Sequence, residues 1–322
     1  MASSYLRRIG RTASYFKASM SLAENKEERS VLLPYVGATT LACLLPRFLF
    51  QPLGAISGFV RYLLKPDHRR SVRKAQWVSS RESIGGVALE LRTLQAFGNY
   101  MRYWIETLAI SSFDSEMFVH NVSAEGWENL DIWTSGQSGI LLVGAHVGSF
   151  DWEASYLAAR NEPIVSVVGT TTPPVLERWF SMSRDIRGLG SIPMKGQVVK
   201  DIIQQLKNGK LVGLLSDFDV SGTGIEVNFF SGKMKFSAGA AVISLKTGYP
   251  IVPVGFFMEP FGRHKLVALD LIRPEDAVGT TLSERIRYIT QQIATAMEQL
   301  IESHPTQWHF GSELRGPVAK AN

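Results

Sequence analysis

The chain has one cysteine, Cys43, in 322 residues. No intramolecular disulfide can form, and a cysteine-based zinc site lacks its thiols. There is no G-x-S-x-G elbow and no H-E-x-x-H pair, so the serine-hydrolase and zincin signatures are missing. No Gly-rich nucleotide fingerprint occurs, and no bound redox cofactor is implied. Internal repeats and low-complexity tracts are also absent. Cys43 lies in an apolar, proline-flanked stretch and reads as a packed or lipid-facing thiol. His304 and His309 have no other ligand near them in sequence, so no metal site is expected. The composition is 45% hydrophobic and 20% charged, with 34 basic against 29 acidic residues and a net charge of +5. That excludes a disordered chain and a polytopic membrane protein. The length suits two domains, or one large domain with a smaller addition.

Acidic residues are missing from residues 1–20, which carry Arg7, Arg8, Arg11 and Lys17. Leu6, Ile9, Ala13, Phe16 and Met20 recur at helical spacing. A basic amphipathic helix of this kind lies on an anionic membrane surface. An organelle transit peptide has a similar composition, and a solvated terminus is the plain alternative. From residue 31 to 60 only Arg47 is charged. A spanning helix needs about 20 apolar residues, and Pro34, Pro46 and Pro52 interrupt this stretch. It reads as two short apolar helices that dip into one leaflet or pack on the next domain, with a single irregular span as the alternative. Arg61, Lys65, His68, Arg69, Arg70, Arg73 and Lys74 follow, offset only by Asp67. This cluster matches anionic lipid headgroups. Nucleic acid is not an expected partner, because no nucleic-acid motif or aromatic stacking platform accompanies the charge.

Residues 76–125 read as helical, with Trp77, Leu89, Leu91, Leu94, Phe97, Tyr100, Tyr103 and Trp104 at mixed spacings of three and four. Beyond residue 124 short β-rich runs alternate with helical ones. Strands are expected at 139–144, 163–168, 211–216, 225–229, 251–257 and 265–272. Helices are expected at 151–159, 174–187, 197–207 and 237–247, with a long amphipathic helix at 283–303. The alternation predicts an α/β fold, a central β-sheet flanked by helices. The expected layout is a basic N-terminal segment at 1–30, a helical membrane-associating region at 31–125, an α/β domain at 126–316 and a tail at 317–322.

The most informative run is G-A-H-V-G-S-F-D-W-E at 144–153. His146 stands just past a buried strand, where α/β sheets gather their active sites. Asp151 lies five residues on, in the first turn of a helix, within reach of one ring nitrogen of His146. That contact would fix the tautomer and leave the other nitrogen as a base. Gly144 and Gly148 allow backbone to approach a substrate closely, and Ser149 sits beside them. A His–Asp pair that merely caps the helix is the structural alternative. With no protein nucleophile in view, the pair points to a base that activates a substrate hydroxyl or water.

The run resembles the H-x-x-x-x-D/E motif of the glycerolipid and lipid A type acyltransferases. The resemblance extends to L-L-S-D-F-D-V-S-G-T-G-I-E-V-N-F-F-S-G-K-M-K-F-S-A-G-A-A at 214–241 and T-G-Y-P-I-V-P-V at 247–254. These are similar to the lipid A biosynthesis acyltransferase family and its phosphatidylinositol mannoside acyltransferase relatives, over about residues 139–310. The resemblance implies a glycerolipid acyltransferase-like mixed sheet and an O-acyltransferase. An acyl chain would pass from an acyl thioester, acyl carrier protein or acyl-coenzyme A, to a hydroxyl of a membrane glycolipid or lysolipid. His146 would be the general base, with no covalent acyl-enzyme, and Asp151 would orient it. The second acidic segment maps onto Asp217 and Asp219. Arg184 and Arg187 would meet a phosphate or the oxyanion.

Expected partners are a lipid acceptor, acyl carrier protein and the anionic inner leaflet, at the cytoplasmic face of a cell inner membrane. An acyl groove would draw on Phe150, Trp152, Phe229 and Phe230. The chain departs from the family pattern at Phe218, where Gln is usual, at Asp151, where the lipid A branch often has Glu, and in its C-terminal P-T-Q-W-H-F-G-S-E-L-R. The acceptor is therefore left open. A thioester or lipid hydrolase of the same architecture and a non-catalytic lipid-binding protein are the competing functions.

Overall fold

The computed structural model describes residues 2–126, 128, 139–162, 164–169, 171–217, 219 and 222–309. Phe218 and the tail at 317–322 lie outside them. The chain opens with helices α1 (Ala2–Ser21), α2 (Lys26–Leu44), α3 (Phe50–Leu64), α4 (Pro66–Val78), α5 (Gly86–Ala109) and α6 (Ser115–His120). Then follow β1 (Val122–Glu125), β2 (Ile140–Gly148), α7 (Phe150–Ala159), β3 (Ile164–Val168), α8 (Pro174–Asp185), β4 (Gly190–Pro193), α9 (Val198–Lys207) and β5 (Leu211–Leu215). A hairpin of β6 (Ile225–Phe229) and β7 (Gly232–Phe236) leads to α10 (Gly239–Thr247), β8 (Ile251–Met258), β9 (His264–Ala268) and α11 (Leu282–Ser303).

The seven-stranded sheet runs β1-β9-β8-β2-β5-β3-β4, and only the β8–β9 pair is antiparallel. The expected mixed α/β sheet is therefore present. Its central strands are aliphatic because both faces are covered. Leu141, Val143, Ala145 and Val147 of β2 meet α9, α10 and α11, through residues such as Leu206, Ile243 and Met297. On the other face Ile140 and Leu142 pack with Trp152, Phe113, Phe118 and Phe256. Strands β1, β4 and β7 were not among the sequence expectations. The first two are four-residue edge strands, too short to show a period. Strand β7 carries lysines on its outer face, Lys233 and Lys235.

The N-terminal helices are not a separate body. Helices α1 and α2 share a core with α8, where Tyr15, Leu32 and Val36 meet Val175, Leu176 and Trp179. The first strand already begins at Val122, ahead of the expected boundary at residue 126. Helix α1 packs on the protein through the face opposite its apolar one. Its polar stripe is inside: Thr12, Tyr15 and Ser19 are buried, while Ile9 and Phe16 are exposed. Arg8 donates to the Leu45 carbonyl (2.8 Å) and to Ser112 (3.2 Å), and Arg11 to the Ser112 carbonyl (3.1 Å). These two cations anchor the helix to the protein. Three carbonyl and hydroxyl acceptors at the end of α2 and after α5 outcompete solvent for them.

No single described helix is long and apolar enough to cross a membrane. The pair Lys26–Leu44 and Arg47–Leu64 meets that test only jointly, with a 114° bend at its break. Helix α3 crosses α5 through glycines. A Cβ at Gly58 would lie 2.6 Å from the Gly98 Cα, so the two backbones meet directly.

A buried polar network joins α5 to the sheet. Glu106 accepts from Arg102 Nε (2.9 Å), His264 Nε2 (2.9 Å) and Ser149 Oγ (3.3 Å). Burial works to raise the Glu106 carboxyl, but His264 and Arg102 outweigh it and bring it down to about 2. Removing one member strands the others in the core. Glu106→Ala should cost about 3–5 kcal/mol of folding free energy, read as the shift of the urea unfolding midpoint. An unchanged midpoint would show that the network carries no stability.

Candidate active site

His146 lies on β2 within an irregularity between Gly144 and Gly148, where the register against β8 shifts. Gly148 sits at φ +59°, and a Cβ there would fall 2.0 Å from the Phe256 carbonyl oxygen. The glycine is required by contact with β8, not by contact with a substrate as expected. Ser149 is likewise turned inward. Its amide donates to the Phe256 carbonyl (2.7 Å) and its hydroxyl to Glu106, so it braces the turn from behind.

The partner of His146 is Asp217. His146 Nδ1 lies 2.6 Å from Asp217 Oδ1, and the His146 amide donates to Oδ2 (3.1 Å). Sheet register explains this. Gly144 of β2 is level with Leu215 of β5, so two residues further on His146 is level with Asp217. The expected contact with Asp151 does not form. Helix α7 carries that carboxylate toward α5, where it accepts from Tyr103 Oη (2.9 Å) and Thr107 Oγ1 (3.4 Å). Burial and the Asp151 carboxylate raise the Tyr103 phenol well above its usual range, so it remains a donor.

Asp217 is fully buried behind the histidine, and Trp308 Nε1 also donates to its Oδ2 (3.0 Å). Burial pushes the carboxyl up, but the charge and hydrogen bonds of His146 and the Trp308 indole together hold it below the ordinary range. A carboxylate on Nδ1 fixes that nitrogen as the donor and puts the lone pair on Nε2. His309 closes the cluster. Its amide donates to the His146 carbonyl (2.7 Å), and its Nε2 lies 2.7 Å from the Gly148 carbonyl. Burial lowers the His309 ring to about 4, so it is neutral near pH 7 and donates from Nε2. Tyr103, Trp308 and His309 were not anticipated as site residues. P-T-Q-W-H was visible in the sequence, but nothing local tied it to a strand 161 residues away.

His146 opens on a cavity of about 550 Å³, also lined by Tyr103, Phe150, Asp151, Glu153, Arg184 and Arg187. Of the aromatics expected in an acyl groove, only Phe150 lines it. Trp152 is in the core, stacked on His264 at 4.2 Å, and Phe229 and Phe230 pack around Trp308 on the opposite face of the sheet. The cavity floor is the sheet itself. Register aligns Leu142, Gly213, Ser166 and Ser191 across β2, β5, β3 and β4, and residues level in a parallel sheet share one face. The small side chains leave a trough of three interstrand spacings, about 14 Å, leading away from β2.

The two arginines differ. Arg187 donates to the Asp151 carbonyl (3.3 Å), Ser155 Oγ (2.8 Å) and the Ser183 carbonyl (2.8 Å), bracing α7 against α8. Arg184 lines the cavity, and its side chain makes no hydrogen bond or ion pair to any described residue. Asp219 does not line the cavity; it accepts from the Gly224 amide (2.6 Å) and shapes the turn before β6. Among the described residues no group of three His, Cys, Asp or Glu side chains is placed to hold a metal ion.

The linkage of Asp217 gives a pH test. A lowered folded-state value means its contribution is complete above the ordinary carboxylate range and is lost as pH falls through the lowered value. Stability of the wild type should fall on acidification below about pH 4. Asp217→Asn should be less stable at neutral pH and show a slope shallower by up to ~1.4 kcal/mol per pH unit. Urea unfolding across this range checks it, and identical slopes would refute the coupling.

The chain matches the family of bacterial lipid A biosynthesis acyltransferases over residues 93–311. It is 25% identical over 219 residues to the phosphatidylinositol mannoside acyltransferases of Mycobacterium tuberculosis strains CDC 1551 / Oshkosh and H37Rv, covering 66% of this chain. The match spans just under two thirds, 66%, of the length of those relatives. The enzyme of the same name from Mycolicibacterium smegmatis is 25% identical over 223 residues, 67% of this chain and 69% of the relative. With over half of its length matched, the chain belongs to the bacterial lipid A biosynthesis acyltransferase family.

Proposed function

We propose that the protein transfers an acyl chain from an acyl thioester to a hydroxyl of a membrane glycolipid or lysolipid. The observation that carries this reading is the His146–Asp217 pair at the mouth of a largely apolar trough. Nε2 of His146 removes the proton of the acceptor hydroxyl, and the oxygen attacks the thioester carbonyl. The tetrahedral intermediate collapses to an ester, and the proton on Nε2 passes to the departing thiolate. No covalent acyl-enzyme is needed. Buried Asp217 orients the ring and favours its protonated form while it carries that proton. Asp151, held by Tyr103 and Thr107, positions the start of α7 beside the base. Arg184 is available at the cavity for a phosphate of donor or acceptor. The donor is acyl carrier protein or coenzyme A thioester, neither of which needs a resident cofactor.

The acceptor reaches this site from a bilayer. The outward faces of the N-terminal helices are apolar, with Leu41 67%, Phe48 73% and Leu64 70% exposed alongside Ile9, Phe16, Ile56 and Leu63. Exposed Lys65, Arg70 and Arg73 follow directly. An apolar face beside a polybasic strip supplies the two signals that reversible attachment to an anionic leaflet requires. This supports a peripheral or monotopic placement on the cytoplasmic face of the inner membrane.

His146→Ala should lower kcat by about 10²–10⁴-fold with folding intact, and Asp217→Asn should lower it more than Asp151→Asn does. Untargeted lipid mass spectrometry of cells expressing wild type or His146→Ala should show a species heavier by one acyl chain only with wild type. Free fatty acid in place of that species would favour a hydrolase. In a sedimentation assay the chain should pellet with anionic vesicles and less with zwitterionic ones. The double charge reversal R70E/R73E should weaken only the anionic binding, and equal pelleting by both proteins would remove the polybasic strip from the docking surface.

A further inference from the structure

Among the described residues the most exposed large apolar side chain is Phe261, at 88%. It tips the turn between β8 and β9, E-P-F-G-R at 259–263. Its φ is +59°, a left-handed conformation that an aromatic residue adopts only at a cost in energy. The turn is nevertheless held from behind. Arg102 donates to the Glu259 carbonyl (2.8 Å), the Glu259 amide donates to the Arg263 carbonyl (2.8 Å), and Arg47 donates to the Gly262 carbonyl. The Arg47 guanidinium also lies 4.9 Å from the centre of the Trp152 ring. The lone charge of residues 31–60 thus works inside the protein, where it ties this turn to the break between α2 and α3. Exposed Phe48 stands next to Arg47 in that break. From there the apolar face continues along α3. Gly54 and Gly58 meet α5, while Ile56, Phe59, Val60, Leu63 and Leu64 are exposed. Arg263 at one end of this face and Lys65 at the other are exposed cations.

Strand direction places this face relative to the site. Strands β2 and β8 are parallel, with Gly148 level with Phe256, and the turn leaves β8 just beyond, after Met258. Phe261 and His146 therefore belong to the same edge of the sheet. We propose that Phe261 is a membrane anchor which, with Phe48 and the outer face of α3, seats that edge on an anionic bilayer. The inference rests on the membrane-docking reading above. It adds a contact made by the α/β domain itself and an orientation of the sheet. A phenylalanine held rigidly in water gains nothing, whereas in the lipid interface its ring leaves water. The flanking cations match anionic headgroups above that apolar layer. A lipid acceptor held in the bilayer then meets the edge on which the base stands.

Cys43 is buried, so a cysteine placed at an exposed position takes up a thiol-reactive fluorophore selectively. The test attaches an environment-sensitive label to Phe261→Cys or to Val278→Cys in the full chain. Val278 is exposed in the segment after Ile272, which pairs with Ile251 at the start of β8, so it marks the opposite edge of the sheet. Each labelled protein is mixed with vesicles of phosphatidylglycerol and phosphatidylcholine, with and without a lipid brominated in its chains. The label at 261 should shift to the blue and be quenched by the brominated chains, and the label at 278 should do neither. Phe261→Ser should weaken vesicle binding about tenfold, the effect of leaving one phenylalanine in water. That loss should persist at high salt, where the contribution of the basic strip is screened. If the protein pellets with vesicles while the label at 261 keeps its aqueous spectrum, or if both labels are quenched alike, the inference is overturned and the membrane-docking reading stands. If no vesicle binds the protein, both fall.

Discussion

The buried carboxylate of Asp217 is the point on which the site depends. It is taken wholly out of water, which is unfavourable for a charged group unless its lone pairs are filled. Here His146 fills one oxygen from its ring, and its own amide and the Trp308 indole fill the other. The three donors come from two residues far apart in the chain. The β2 irregularity brings the first two, the position of Asp217 just past β5 supplies the acceptor, and the segment after α11 brings the indole. A carboxylate so bound has little orientational freedom, and it transmits that rigidity to the imidazole. The arrangement is preorganised before any substrate arrives.

The surrounding structure serves this arrangement at two further levels. Trp308 and His309 tie the C-terminal segment over the turn at Gly148, while Ser149 and the Glu106 network tie the same turn from beneath to α5. The turn that presents His146 is therefore clamped between two elements far apart in sequence. The N-terminal helices complete the wall. Helix α5 contributes Tyr103 to the cavity rim and Arg102 and Glu106 to the core beneath it. A region that reads in isolation as a membrane attachment is thus also a structural part of the site. Helices α1 and α2 expose apolar side chains outward and line the cavity inward through Tyr15 and Thr39.

The cavity shows how a sheet can make room without distortion. Side chains on one face are thinned to Gly144, Gly213, Ser166 and Ser191 in successive strands, and the backbone pairing continues beneath them. The opposite face keeps Leu141, Val143 and Val212 and is fully packed. Alternation along each strand lets one sheet be a solid core on one side and a trough floor on the other.

The sequence by itself determined the class of fold, most of the strand and helix order after residue 139, and the place of His146 at the end of a buried strand. Those features are local: aliphatic runs of strand length, helical periods, and a histidine just past a buried strand. Which carboxylate serves that histidine was decided only by tertiary structure. Asp151 is near in sequence, but the direction of α7 turns it to Tyr103. Asp217 is 71 residues away, yet strand register sets it level with the ring. The parts played by Ser149, Gly148, Trp308 and His309 were hidden for the same reason, as was the inward-facing polar stripe of α1. Periodicity reports which side chains share a face, whereas partners across a fold are set by strand order, register and helix direction, which come from packing of the whole chain.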